Sequence, residues 1–372
     1  MFEKTKALCD SFLEMGVPGF DLIVYQDGRE ILRHMGGYAD LEQKIPVTGK
    51  ELYNIYSCSK PITVTAAMQL WEKGLFDLND PLSKFLPEYE EMMVSTEEGL
   101  VPAAEPIRMH HLFEMTAGFS YNLRSPQLMA LREQTHGLCP TREVARSLAK
   151  EPLLFQPGDR FNYSLCHDVL AAVVEVLSGQ SFADYTREHI FEPLGMTRTD
   201  FLLPMERIEE VCSHYVFRPE QGKAEKCSKL PAYRIGTQHA SGGAGCVSTV
   251  EDYIKFTEAL RSGERLLKRD TVRLMTADRL TDHQKRTMTT TAHGYGLGMR
   301  APMDGYPRRD YGWGGAAGAF LAIDEPNGIS LFYAQHLLSS PNQGIRDNIY
   351  TMVLEDLGLD AVHTATDAKL TY

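Results

Sequence analysis

Ser57 and Lys60 stand three residues apart in "YNIYSCSKPITVTAAMQLWEKG", residues 53–74, just before a proline and a long apolar run. A serine hydroxyl is a poor nucleophile until a neighbouring group takes its proton, and an amine one helical turn away on the same face can do that. At the mouth of an apolar helix, desolvation favours the neutral amine, the form that acts as a base. The alternative is a serine that caps the helix beside a lysine reaching out to water. The motif alone leaves both readings open.

About one S-x-x-K match is expected by chance in a chain of this composition, and this chain has two. Ser147-Leu148-Ala149-Lys150 lies inside an amphipathic segment, where the serine reads as a surface residue and the lysine as solvated. Ser57 differs because it sits where the extended run "LYNIYS" turns into a buried helix, so its own N–H is one of the unpaired donors of a helix N-terminus. Pro61 suits the first turn of that helix and Gly74 its left-handed stop. Between them only Thr65, Gln69 and Glu72 make a narrow polar stripe, which predicts burial on most sides.

Other chemistries lack their residues. There is no G-x-S-x-G elbow, no H-E-x-x-H and no Walker loop. Gly312-x-Gly314-x-x-Ala317 fits the loose dinucleotide pattern but leads into the strand-like "AFLAIDE" rather than a helix. His110-His111 is assigned a structural or surface role, with no carboxylate or cysteine read at ligand spacing.

Fifty acidic against 38 basic side chains give a net charge of -12, and no run of Lys and Arg follows a phosphate backbone, which argues against nucleic acid. No segment reaches the ~18 apolar residues of a membrane span, and the amino end has no signal-like apolar stretch, so the expectation is a cytoplasmic chain without a membrane partner. Seven cysteines form no C-x-x-C pair and read as reduced thiols. In such a compartment the glycosylation pattern at Asn162-Tyr163-Ser164 stays unused.

The elements that must position Ser57 follow from periodicity. "PGFDLIVYQDGREILRHMGGYAD" reads as two strands about an Asp27-Gly28 turn. From about 76 to 235 the pattern is mostly helical, including "HDVLAAVVEVLSG". After it "GYGLGM", "GAFLAIDE" and "GISLFYAQHL" read as strands and "NIYTMVLEDLG" as a closing helix, with a loosely held tail beyond about 361. The expected fold is an α/β lobe from 1–75 and 236–372, its antiparallel sheet flanked by helices, with a helical lobe over 76–235 inserted into it. The cleft between the lobes is the natural place for a site.

With these elements placed, the chain resembles the serine β-lactamase and penicillin-binding-protein superfamily, in the branch of class C β-lactamases, DD-peptidases and family VIII carboxylesterases. The resemblance runs from about Val17 to the closing helix, through "SCSKPITVTAAMQLWEKGLFDLNDPLSKFLPE", "IRMHHLFEMTAGF", "QPGDRFNYSLCHDVLAAVVE", "IFEPLGMTRTDF", "SGGAGCVSTVEDYIKF", "YGLGM" and "GWGGAAGAF". It implies that Ser57 is the acylated nucleophile, Lys60 its amine partner and Tyr163 the tyrosine of the Tyr-x-Asn element. It further implies an oxyanion hole from the backbone N–H groups of Ser57 and Ala316, with Trp313-Gly314-Gly315 in place of the Lys-Thr-Gly strand. No metal or organic cofactor is implied.

Two departures bear on the substrate. Leu165 replaces the Asn that would bond an acyl-amide, and Trp313 replaces a cation. Both favour a small neutral ester over a β-lactam or D-Ala-D-Ala peptide. Arg308 and Arg309, just upstream, could restore a positive charge or form a solvated face. The expectation is a serine hydrolase on small carboxylic esters. The alternatives are a β-lactamase or DD-peptidase type of amide hydrolase, or a non-catalytic binding protein on the same fold. Oligomeric state is not legible in the sequence.

Overall fold

The computed structural model describes residues 1–230, 233–288, 293–303 and 308–359, so the tail beyond about 361 lies outside the described residues. Asp27 and Gly28 both adopt positive φ, at 49° and 76°, which is the two-residue turn that right-twisted strands favour. It joins Gly19–Gln26 to Arg29–Asp40 in antiparallel register. Gly19–Gln26 pairs on its other side with Ile329–Gln335, so the amino-terminal hairpin and the late strands share one sheet. Its eight strands run Gly294–Tyr295, Arg300–Ala301, Tyr311–Gly314, Phe320–Asp324, Ile329–Gln335, Gly19–Gln26, Arg29–Asp40 and Ile45–Pro46, each antiparallel to its neighbours.

Both faces of this sheet are covered, which is why its central strands read as continuous apolar runs rather than alternating ones. Phe20, Leu22, Val24, Leu331 and Tyr333 point to one face, where Phe12 of helix Glu3–Glu14 and Ile349 and Val353 of helix Asn348–Leu357 meet them. Ile23, Leu321, Ile323 and Phe332, their period-two alternates, enter the larger core on the other face, which helix Ser59–Glu72 also joins.

Helix Ser59–Glu72 is buried from Ser59 to Met68 without interruption. The expected polar stripe is itself covered. Thr65 is fully buried and donates back to the Pro61 carbonyl, Gln69 bonds the carbonyls of His189 and Leu266, and Glu72 accepts from Lys268 and Thr271. Burial of Ile62, Val64, Met68 and Leu70 contributes about 1.5–3 kcal/mol each. That is enough to outweigh the several kcal/mol of desolvation that a buried Lys60 costs. Gly74, at φ 72°, ends the helix as the sequence implied.

Residues 76–235 carry the helices Pro126–Gln134, Thr141–Leu148 and Cys166–Ser178, but not helices alone. Met93–Thr96 and Gly99–Pro102 form a small hairpin. His214–Arg218 and Lys223–Cys227 form another, which pairs with Leu337–Leu338 and puts Tyr215 into the core behind the large sheet. Gly312-x-Gly314-x-x-Ala317 leads from one strand to the next with no helix between. Among the described residues no helix is long and apolar enough to cross a membrane.

Candidate active site

Ser57 is delivered by a tightly held turn. The short strand Tyr53–Asn54 pairs with Val247–Ser248, and the Ile55 N–H continues that pairing to the Cys246 carbonyl. The chain then turns through Tyr56–Cys58, with Tyr56 at φ 47°, a conformation that costs a bulky residue about 1 kcal/mol or more. The turn is fastened by the Ser59 hydroxyl, which donates to the Tyr56 carbonyl at 2.5 Å, and by Tyr253 OH, which donates to the Cys58 carbonyl at 2.6 Å. Helix Ser59–Glu72 follows at once and carries Lys60.

Two groups contact the Ser57 hydroxyl, and a third reaches it through one of them. Lys60 Nζ, fully buried, donates to Ser57 Oγ at 3.1 Å and to the Gly243 carbonyl at 2.7 Å. Tyr163 OH donates to Ser57 Oγ at 2.7 Å. Trp313 Nε1 donates in turn to Tyr163 OH at 3.3 Å, and the two rings stack at 5.9 Å between centroids. The Lys60 ammonium also lies 4.5 Å from the centre of the Tyr163 ring, in cation–π range. Ser57, Lys60, Tyr163 and Trp313, widely spaced in the sequence, therefore form one connected cluster.

Tyr163 is positioned from both sides of its own segment. The Asn162 N–H donates to the Met115 carbonyl, the Asn162 side-chain amide to the Phe119 carbonyl, and the Leu165 N–H to the Ser120 carbonyl. Leu165 itself departs from the substrate-binding role expected of it. It is 2% exposed, caps helix Cys166–Ser178 from within the apolar core, and does not line the cavity.

Ser57, Tyr163, Trp313, Gly314, Gly315 and Ala316 all line one open cavity of about 820 Å3. Gly315 needs its missing side chain, because a Cβ there would stand 2.3 Å from the Ile55 carbonyl oxygen, so the strand passes directly against the turn that carries Ser57. The Gly315 N–H is used by the Ala319 carbonyl at 2.7 Å, which makes Ala316, the next residue, the nearer donor to consider for a substrate oxygen.

Several contributors carried no local signal in the sequence. Tyr121 stacks on Tyr163 with rings 5.6 Å apart and nearly parallel, and Tyr233 meets Tyr121 edge to face. Burial, with Tyr163 and Asp168 adding to it, pushes the Tyr121 phenol well up, so it stays protonated. Asp168, third in helix Cys166–Ser178, reads in sequence as an acid at a helix start, yet it is buried and accepts from Ser241 Oγ at 2.6 Å. Burial opposes its ionisation, but the contacts with His239 and Ser241 and the charge of Lys60 outweigh that and hold the carboxyl low.

The arginines also depart from expectation. Arg308 is not a solvated turn residue. It is 8% exposed and grips Asp310 with two nitrogens, at 2.8 and 2.9 Å, while Arg300 takes the same carboxylate at 2.5 Å. Burial works against the Asp310 charge, but the two guanidinium groups hold its carboxyl down at about 2. Arg346, beside Gly314, is paired with Asp347. His110 likewise has a carboxylate four residues on: Glu114 accepts from it at 3.0 Å and pairs with Arg279, a structural link across two segments.

A family profile described as Beta-lactamase matches residues 6–354 of the chain. Among curated proteins the chain is similar to Protein Rv1367c of Mycobacterium tuberculosis, 29% identical over 354 residues, with 88% of this chain and 87% of that protein covered. It is similar to Esterase EstB of Burkholderia gladioli, 28% identical, with 91% and 92% covered. Among solved structures it is similar to "EstCE1, a hydrolase with promiscuous acyltransferase activity", with a TM-score of 0.79 at 26% identity, covering 94% of this chain and 97% of that one.

Proposed function

This chain belongs to the β-lactamase family, and from that premise we propose that it is a serine hydrolase of small, neutral carboxylic esters, acting through an acyl-enzyme on Ser57. The observation that carries the reading is the double contact on one hydroxyl: Lys60 at 3.1 Å and Tyr163 at 2.7 Å on Ser57 Oγ. In the reaction the Ser57 proton passes into the Lys60–Tyr163 pair as Oγ bonds the ester carbon, and the backbone N–H groups of Ser57 and Ala316 take the oxyanion. The pair returns the proton to the departing alcohol as the ester C–O bond breaks. Water then attacks the acyl-enzyme, loses its proton to the same pair, and releases the carboxylic acid and the Ser57 hydroxyl.

Neutrality and ester preference rest on the cavity walls. Tyr121, Tyr163, Tyr233 and Trp313 offer aromatic faces, while Arg300, Arg308 and Arg346 already hold Asp310 and Asp347. Trp313 supplies one N–H, which is engaged with Tyr163, and no charge for a lactam carboxylate. The similarity to EstB, an esterase, supports the same choice. The free thiols among the described residues favour a reducing, cytoplasmic setting. The promiscuous acyltransferase activity of EstCE1 favours one second reading, in which an alcohol replaces water in the last step.

The test is turnover of short-chain p-nitrophenyl esters and of a chromogenic cephalosporin by the protein and by Ser57→Ala, with and without a primary alcohol. The expected result is ester turnover that the substitution abolishes. Cephalosporin turnover of equal efficiency would replace ester with lactam, transfer to the alcohol would establish the second reading, and no turnover of any acyl donor would overturn the proposal.

A further inference from the structure

Lys60 is a fully buried cation with no direct ion pair among the described residues, and its two hydrogen-bond acceptors, the Ser57 hydroxyl and the Gly243 carbonyl, are neutral. An ammonium so far from water needs an opposing charge close by. Asp168 is buried on the other side of Gly243. Its Oδ1 accepts from Ser241 and lies 3.3 Å from His239 Nε2, while its Oδ2 has no hydrogen-bond partner among the described residues. A Cβ built on Gly243 would stand 2.7 Å from Asp168 Oδ2 and 3.5 Å from Lys60 Nζ. The two charges are therefore at most 6.2 Å apart, the sum of those two legs, and only a glycine leaves that gap open.

We propose that Asp168 is a positioning residue, the counter-ion of Lys60 across Gly243, and that it fixes the charge on Lys60 against which Ser57 and Tyr163 exchange a proton. This rests on the role given to Ser57 above. The other titratable groups facing the pair are His239, His167, Tyr121, Tyr163, Cys58 and Cys166. Burial pushes His167 down to about 3 and both thiols up to about 12, so these three carry no charge near neutrality and Asp168 is the carboxylate of the group. Gly243 holds both ends of the arrangement. Its carbonyl accepts a hydrogen bond from Lys60 Nζ, and its bare Cα lets the carboxylate face the ammonium.

The test follows the 15N resonance of Lys60 Nζ across pH, in the intact protein and in Asp168→Asn, alongside kcat/KM for p-nitrophenyl acetate. Loss of an opposing charge at this distance moves the Lys60 midpoint down by about one to two pH units. The alkaline limb of kcat/KM, where that charge is lost, moves the same way, and Asp168→Glu restores part of the shift. Ser241→Ala, which removes a hydrogen bond but no charge, leaves the midpoint within about 0.3 units. Should Asp168→Asn fail to fold, Gly243→Ala wedges a methyl between the two groups and lowers the midpoint with both charges kept. An unmoved midpoint in the folded variant overturns the proposal, whatever the melting temperature does. The resonance reads the pair even if no ester is turned over, so its failure and that of the ester reading are separable.

Discussion

Ser57–Lys60 and Ser147–Lys150 are the same motif at the same spacing, and the fold treats them in opposite ways. In the first the lysine is fully buried and the serine reaches a cavity. In the second the serine is 5% exposed in helix Thr141–Leu148, and the lysine lies in solvent beyond the helix end. The sequence pattern puts Ser147 on the surface, and it is inside. The contrast teaches that spacing aligns a serine with a lysine, whereas burial of the surrounding helix decides which of them faces water. Only the arrangement with the amine inside holds the ammonium 3.1 Å from the hydroxyl.

The contrast is broken most directly at the serines. Ser57→Ala is expected to lower kcat/KM on a p-nitrophenyl ester by a factor on the order of 10^4 or more, whereas Ser147→Ala changes it less than about twofold. Equal losses in steady-state assays would remove the distinction. At the lysines, Lys60→Met is expected to cost about 10^3-fold in kcat and Lys150→Met nothing measurable. Tyr163→Phe keeps the stack on Tyr121 but removes the hydroxyl shared with Ser57 and Trp313, for a loss of about 10^2-fold in kcat.

Acid sharpens the same comparison. Burial holds His111, His167 and His336 down at about 3 and His214 at about 4, and His167 stands within reach of the Lys60 charge. No histidine lies on helix Thr141–Leu148. In the unfolded chain these rings take up protons near pH 6.5, so below that value the unfolded state binds more protons than the native one. Stability is therefore full above about pH 6.5 and is lost as pH falls toward 4. Asp21, raised to about 7 by burial, works the other way, one group against four. The melting temperature is expected to drop by roughly 5 °C or more between pH 7 and pH 4.5, as scanning calorimetry can check.

Much of this was legible in the residues. The Asp27-Gly28 turn, the buried helix after Ser57 and the apolar late strands each carry their signal within a few neighbours, in turn chemistry or periodicity, whereas the block around Tyr163 was legible only through the family resemblance. Tyr121, Asp168 and Tyr233 carry no such signal. Each meets its partners across long sequence separations, and nothing in "GFSYNL" announces a ring stacked on Tyr163. Asp168 is hidden because an acid in a first helical turn already has an ordinary explanation in the helix dipole. Leu165 misleads for the converse reason: its place in a motif suggests contact with substrate, but an apolar side chain there is drawn into the core. Arg308 reads as solvated because its partner Asp310, shared with Arg300 from the strand Arg300–Ala301, becomes the centre of a network only once the sheet forms.

The most direct measurement is peptide mapping by mass spectrometry after a short reaction with an activated p-nitrophenyl ester, quenched in acid. One acyl group on the peptide carrying Ser57, absent from Ser57→Ala and slowed by Lys60→Met, is the expected result. Acylation at Ser147 or elsewhere, or ester turnover that survives in Ser57→Ala, would contradict the assignment of Ser57 as the nucleophile.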